Sequence, residues 1–266
     1  MNSGNSGGGQ WMAAGLVPLP ILEFPDPASR ILADPKVSER SRTCGKDGCK
    51  AEVGQSYAGQ PALSEGYCPT CGHPFSFLPK LRKGDLVAGQ YEVVGCLARG
   101  GLGWVYLAKD THLDDNFVAL KGLINTNDAQ ALALAVSERR FLIALDHPNV
   151  VRIFNFVTHP DPHSGEHIGY IVMEYVNGDS LADIKAMVVQ RPYTPHGPLL
   201  VEHVIAYGCE ILAAFEYLHG HGLLYCDMKP SNVIKSSDRI KIIDLGAVRG
   251  IDDREAPVVG TLHYQV

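Results

Sequence analysis

The chain has 266 residues, with 29 acidic and 23 basic side chains and a formal net charge of −6. This acidic balance offers no broad basic surface, so nucleic acid is not an expected partner. The early apolar stretch, residues 12–22, contains Pro18 and Pro20 and has no basic flank, which argues against a signal peptide or a membrane span and for a cytoplasmic location.

After Met1, residues 2–9 are all Gly, Ser or Asn, and Pro-rich composition continues to about Arg42. Residues 1–42 are expected to form a flexible or extended tail. Cys44 and Cys49 then form C-x4-C, and Cys68-Pro69-Thr70-Cys71-Gly72 forms a C-P-x-C-G knuckle. Two cysteine pairs separated by a short loop have a metal-site spacing, and four thiolates would make a closed tetrahedral site for iron or zinc. Two disulfides or free thiols are the alternatives; nothing marks the chain as secreted, which disfavours disulfides. This segment has too little apolar material to fold alone, so metal is expected to supply much of its stability. Cys96, Cys209 and Cys226 fall inside later elements and read as buried apolar residues.

Alternating apolar residues at Tyr91, Val93, Val105 and Leu107 flank Ala98-Arg99-Gly100-Gly101-Leu102-Gly103, a pattern of strand, tight turn, strand. Glycines here let backbone N–H groups approach phosphates closely; taken alone, the segment is equally an ordinary hairpin. Val118-Ala119-Leu120-Lys121 ends an apolar strand on a lysine suited to α- and β-phosphates. Residues 129–145 carry helical spacing after Asp128 and contain Glu138, a carboxylate partner for Lys121, although a helix glutamate is more often a solvated surface residue. Strands are expected over 150–157 and 168–176, and the second ends in Met173-Glu174-Tyr175-Val176-Asn177-Gly178. Residues 201–219 form a helix with Val204, Ile205, Gly208, Ile211, Leu212, Phe215 and Leu218 on one side.

Asp227-Met228-Lys229-Pro230-Ser231-Asn232, followed by Asp244-Leu245-Gly246, supplies what phosphoryl transfer requires. One carboxylate orients a hydroxyl, a cation faces the phosphoryl oxygens, and oxygen ligands hold magnesium.

From Tyr91 to Val266 the chain resembles a eukaryotic-type Ser/Thr protein kinase, with Lys229-Pro230 and Gly260-Thr261 pointing to the Ser/Thr branch. Ala98, "GGLGW", "GQYEV", "YIVMEY" and "DLGAV" resemble the PknG group of bacterial kinases, which carry a rubredoxin-like module before the kinase. The resemblance implies an α+β protein-kinase-like fold: a β-rich N-lobe with its helix, then a partial, mainly helical C-lobe, preceded by a small rubredoxin-like or zinc-ribbon-like module. The expected boundaries are 43–85 for the module, 86–180 for the N-lobe and hinge, and 181–266 for the partial C-lobe.

It also implies the site. Asp227 and Lys229 act on the hydroxyl and the phosphoryl group; Asn232 and Asp244 hold magnesium or manganese. Lys121, fixed by Glu138, and the loop of Gly100, Gly101 and Gly103 hold ATP phosphates. Ala98, Val105, Ala119 and Ile234 enclose adenine, whose edge meets backbone at Glu174 and Val176. Cys44, Cys49, Cys68 and Cys71 hold iron or zinc. The implied partners are a protein substrate and a forkhead-associated-domain regulator that docks on tail phosphothreonines in such kinases; this tail has no threonine before Thr43, while Ser29, Ser38 and Ser41 remain phosphoacceptor candidates. Phe75, Phe77 and Leu78 are expected to pack on the N-lobe.

Three features depart from the pattern. The first cysteine pair has a C-x4-C spacing where rubredoxins carry C-x2-C. Tyr225-Cys226-Asp227 lacks the arginine that pairs with an activation-loop phosphate, and residues 245–260 hold no Ser, Thr or Tyr. Control by the metal module rather than by activation-loop phosphorylation is therefore expected. The sequence also stops at Val266 before an A-P-E motif, an end expected to weaken solubility and turnover. A competent kinase of which this is a part is the leading reading. The alternatives are an ATP-binding pseudokinase-like chain and a metal-binding regulatory or interaction protein.

Overall fold

A computed structural model describes residues 24, 26–46, 48–100, 103–123, 140–161, 167–190 and 200–253. The chain divides into two compact units. One comprises residues 26–138 and 155–173; the other comprises residues 1–25, 139–154 and 174–266. The fold is of the α+β class, strand-rich early and helical later.

In the first unit, β1 (Glu65–Tyr67) and β2 (Pro74–Ser76) form a hairpin in the cysteine module. A six-stranded sheet follows, built from β3 (Leu86–Val87), β4 (Tyr91–Gly100), β5 (Gly103–Asp110), β6 (Asn116–Gly122), β7 (Ile153–Pro160) and β8 (His167–Glu174), in the order β3-β4-β5-β6-β8-β7. The strand pair expected after the helical segment lies at 153–160 and 167–174, shifted from 150–157 and 168–176. Residues 140–144 form a 3-10 turn, not the end of an α-helix; the rest of that segment, including Glu138, lies outside the described residues, as does Gly101.

The sheet register sorts its residues onto two faces. Directly opposed residues share a face and successive residues alternate. Val93 opposes Ala108, Cys96 opposes Tyr106, Tyr106 opposes Leu120 and Ala108 opposes Val118. Ala98 opposes Val105, Val105 opposes Lys121 and Leu107 opposes Ala119. One face therefore carries the apolar row and the other carries Ala98, Val105, Ala119 and Lys121. The apolar row, with Tyr91, Trp104, Ile168, Tyr170 and Val172, forms one core with Val37, Cys44, Val53, Cys68, Phe77 and Leu81 of the preceding segment. The expected packing of the module on the sheet through Phe77 is thus present, and the metal module shares the core of the sheet.

The connection between them is held by polar contacts. Tyr106 Oη accepts from Lys80 N at 2.9 Å and Leu81 N at 3.4 Å, and Lys80 Nζ pairs with buried Asp161 Oδ2 at 3.0 Å. Part of the sequence-predicted tail is also folded. Asp26 caps a 3-10 turn at Pro27–Arg30, Leu32 N donates to Cys96 O at 2.8 Å, and Arg42 is buried with donors on the carbonyls of Val37, Gly54 and Leu63.

In the second unit, β9 (Asp179–Ser180), α1 (Leu181–Gln190), α2 (Val201–Gly220), β10 (Leu223–Tyr225), β11 (Val233–Lys235), β12 (Ile240–Ile242) and β13 (Val248–Gly250) surround the Asp227 loop. The helix expected at 201–219 forms, but its buried residues are Tyr207, Ala214 and Leu218. Val204, Ile205 and Leu212 of the predicted stripe are exposed. A stripe of aliphatic residues alone does not distinguish which side has a partner, because tyrosine and alanine fill the buried side here. Cys96 is buried, but Cys209 on α2 is exposed, correcting its expected burial.

Glu210 is the polar hub of this unit. Its Oε2 accepts from Ile240 N at 2.6 Å and Asn149 Nδ2 at 2.9 Å, so one carboxylate joins α2, β12 and the segment before β7. Burial raises its pKa, against the pull of the Ile240 N–H. Replacing it with alanine leaves two donors without that acceptor, at a cost of about 1–3 kcal/mol. We expect Glu210→Ala to lower the denaturation midpoint accordingly, with Glu210→Gln retaining part of the loss; a midpoint unchanged by either would remove the hub role.

Candidate active site and metal centre

The candidate metal centre is built from two turns. Cys44 N donates to Ala51 O and Cys49 N to Lys46 O, closing the first; Cys68 N donates to His73 O and Gly72 N to Cys68 O, closing the second. Gly72 has φ +70°, the left-handed conformation that lets the chain reverse after Cys71. The four Sγ atoms lie within 4.8 Å of one another, with Cys44–Cys71 at 3.6 Å and Cys49–Cys68 at 3.9 Å. A tetrahedral ion with metal–sulfur bonds of about 2.3 Å places its sulfurs about 3.8 Å apart, so the described donors fit such an ion. Burial opposes ionisation of Cys68, but the N–H groups of Thr70 and Cys71 and the neighbouring thiols outweigh it and bring the pKa down to about 6. The Lys46 N–H favours the Cys44 thiolate; desolvation and the other thiols prevail and push Cys44 up to about 12. Both turns thus aim backbone N–H groups at sulfur: Lys46 at Cys44 and Ala51 at Cys49 in the first, Thr70 and Cys71 at Cys68 in the second. The sequence spacing picked out the four cysteines that the structure brings together; the donors at Lys46, Ala51, Thr70 and Cys71 follow from turn geometry and have no side-chain signature.

In the second unit, Asp227, Lys229 and Asn232 come together. Lys229 Nζ lies 2.6 Å from Asp227 Oδ2. Asn232 Nδ2 donates to Asp227 O at 2.9 Å and to Asp227 Oδ2 at 3.2 Å. A 3-10 turn over Pro230–Asn232 creates this proximity: Pro230 fixes its first residue and Asn232 N donates back to Lys229 O. Ile243 N donates to Asn232 O, which ties the loop to the chain entering Asp244, and Gly246 N donates to Asp244 Oδ1 at 2.9 Å. β10 pairs with β13 so that Tyr225 opposes Val248. The Tyr225 ring packs on Phe215 at 5.8 Å, and burial, then the Asp244 and Asp227 carboxylates, raise its hydroxyl pKa. Sequence reading weighed Tyr225 only as part of a motif lacking arginine; its place beside both acids depends on the β10–β13 pairing.

The segment after β8 is also fixed. Glu174 N donates to Arg152 O, and the Glu174 carboxylate meets Lys241 Nζ at 2.6 Å, so its side chain is engaged in a partly buried ion pair. Val176 is buried. Gly178 is required here: a Cβ would lie 2.3 Å from Lys235 O and 2.6 Å from the Ile234 side chain. Ile234, on β11, is partly buried.

In the first unit, Val105, Ala119 and Lys121 share the sheet face opposite the module, with Ala98 beside Val105. Lys121 is buried. Gly100 opposes Gly103 at the end of the hairpin.

Among the described helices none is long and apolar enough to cross a membrane. Residues 91–265 match the protein kinase domain, and residues 8–81 match the protein kinase G rubredoxin domain. The chain is 46% identical over 254 residues to the serine/threonine-protein kinase PknG of Mycolicibacterium smegmatis and 46% identical over 260 residues to that of Mycobacterium leprae, in each case over 96% of this chain. It covers 32% and 33% of those proteins, so it spans about one third of their length. A probable serine/threonine-protein kinase, PknB of Lactococcus lactis, is 32% identical over 188 residues, covering 68% of this chain and 28% of that protein. With the kinase match over most of its length and the rubredoxin match ahead of it, the chain belongs to the protein kinase family as a PknG-type member with a rubredoxin module.

Proposed function

We propose that this chain is the metal-module and kinase portion of an ATP-dependent Ser/Thr protein kinase. The observation that carries the reading is the joined set Asp227–Lys229–Asn232, followed by Asp244, in a chain of this family. Asp227 orients the Ser or Thr hydroxyl and accepts its proton, while Lys229 lies within reach of that carboxylate and faces the phosphoryl oxygens. Asn232 and Asp244 are the oxygen donors for Mg2+ or Mn2+, a hard cation that neutralises phosphate charge when bound. Lys121 binds the α- and β-phosphates with Glu138 as its partner, and Gly100, Gly101 and Gly103 admit phosphate to backbone N–H groups. Ala98, Val105, Ala119 and Ile234 are the apolar residues for adenine, with backbone at Glu174 and Val176 for its polar edge. Cys44, Cys49, Cys68 and Cys71 hold one iron or zinc ion.

Protein substrates follow from this reading, and a forkhead-associated-domain regulator is the partner it suggests. Residues 245–260 offer no phosphoacceptor, so the reading places control in the metal module rather than in an activation-loop phosphate, in a cytoplasmic protein. Mg-ATP should raise the melting temperature, and γ-labelled ATP should label a Ser/Thr protein substrate, with both effects weakened by Lys121→Ala. Mg-ATP stabilisation without labelling would favour the pseudokinase-like alternative; neither effect would favour a metal-binding interaction protein. Stoichiometric, activity-raising phosphate on Thr261 after ATP incubation would remove the regulatory part of the proposal.

A further inference from the structure

Within the first unit, a cavity of about 450 Å3 is lined by residues of both the cysteine module and the sheet. Its sheet wall, Trp104 and Tyr106, lies on the face opposite Val105, Ala119 and Lys121, while Gly103 of the hairpin turn borders it at one edge. The size falls within the roughly 300–1,000 Å3 of small-molecule sites. Phe75 and Phe77 line one side, and Trp104, Tyr106 and Tyr170 line the other. The rings are ordered against each other: Phe75 and Phe77 stand 5.4 Å apart, and Tyr106 and Tyr170 meet edge-on at 6.5 Å. Such walls favour a flat, apolar body.

The charge at the wall has one sign. The charged side chains of the lining are Arg99 and Lys80 and, among the described residues, it holds no carboxylate, in a chain where acids outnumber bases. Lys80 is engaged by Asp161. The Arg99 guanidinium has no hydrogen bond or ion pair among the described residues; it lies over Phe77 at 5.4 Å and over Trp104 at 5.7 Å. Arg42 lies over Phe77 at the same 5.4 Å, but its donors are taken by backbone carbonyls. Partial desolvation, then the like charge of Arg42, lower the Arg99 pKa. A planar cation already seated on two rings, with its donors uncommitted among the described residues, is suited to a bidentate acid.

We propose that this cavity binds a small aromatic carboxylic acid, with Arg99 pairing to the carboxylate and the ring enclosed by Phe77, Trp104 and Tyr170. The inference stands on the first unit alone and does not depend on phosphotransfer.

The chain has two tryptophans, so a Trp11→Phe background makes Trp104 the sole tryptophan reporter of the cavity. Titration of the metal-loaded chain with benzoate should change Trp104 emission saturably, in the millimolar range expected of a fragment this small. Benzamide, of the same shape without charge, should bind at least about tenfold more weakly, a difference of about 1.4 kcal/mol. Arg99→Gln should weaken benzoate to the same degree. Leu78→Glu, at an exposed lining position, should do the same by charge repulsion and serves if Arg99→Gln fails to fold. No saturable change, equal binding of benzamide, or benzoate binding unaffected by a folded Arg99→Gln or Leu78→Glu protein would each overturn the proposal.

Discussion

Asp227→Ala should lower kcat for phosphotransfer by about 10²–10⁴, the range of a positioned general base, while leaving Mg-ATP binding nearly intact. That loss corresponds to about 3–5 kcal/mol of transition-state stabilisation. The split follows from the local geometry. Asp227 is the acceptor around which Lys229 and Asn232 gather, so its carboxylate is held in place before a hydroxyl arrives. Asn232 keeps its second contact, to the Asp227 backbone carbonyl, and β11 and β12 continue to support the loop. A folded Asp227→Ala protein that phosphorylates at the unmodified rate would remove Asp227 from the mechanism. Equal losses of Mg-ATP affinity and rate would instead mark it as a structural support of the loop.

Removing the metal should have the largest effect on stability. Structural zinc contributes about 10–16 kcal/mol of apparent binding free energy in small peptides, comparable with the about 5–15 kcal/mol that holds a whole domain together. In this chain Cys44 and Cys68, two of the four proposed ligands, belong to the same apolar core as Trp104, Tyr106 and Leu120. Loss of the ion should therefore loosen the covered sheet face as well as the cysteine turns. We expect one equivalent of iron or zinc per chain by elemental analysis. Chelation or Cys68→Ser should lower the melting temperature by more than about 10 °C, given about 4–8 °C per kcal/mol for a small domain. New protease cleavage should appear between residues 43 and 81. An apo protein that melts like the loaded one and resists protease would show that packing alone holds the module.

Much of the candidate site that the structure brings together was legible because it depends on short spacing. Cysteine pairs, the Asp227–Asn232 loop and the Asp244-Leu245-Gly246 turn need particular residues at particular separations, and that information is local. The α+β kinase fold was legible for the same reason, through several local motifs in one order. The contacts between distant segments were less accessible. The burial of Tyr207 and Ala214, in place of Val204, Ile205 and Leu212, depends on what reaches each side of α2. The exposure of Cys209 has the same origin. The Glu174–Lys241 and Lys80–Asp161 pairs join segments whose separation carries no periodic signal. Residues 26–42 were read as tail because their composition is polar and Pro-rich, yet Val37 and Arg42 are buried through specific contacts that composition does not encode.

The common core of module and sheet bears on how this part of the protein can be inherited or engineered. Val37, Phe77 and Leu81 lie before the kinase match begins, yet they complete the same interior as Tyr91, Val93 and Cys96 within it. A recombination joint at the start of the kinase match would divide that interior and expose an aromatic and aliphatic sheet face. Exchange between relatives must therefore carry the module and its strands as one cassette, with side-chain volumes on both sides changing together.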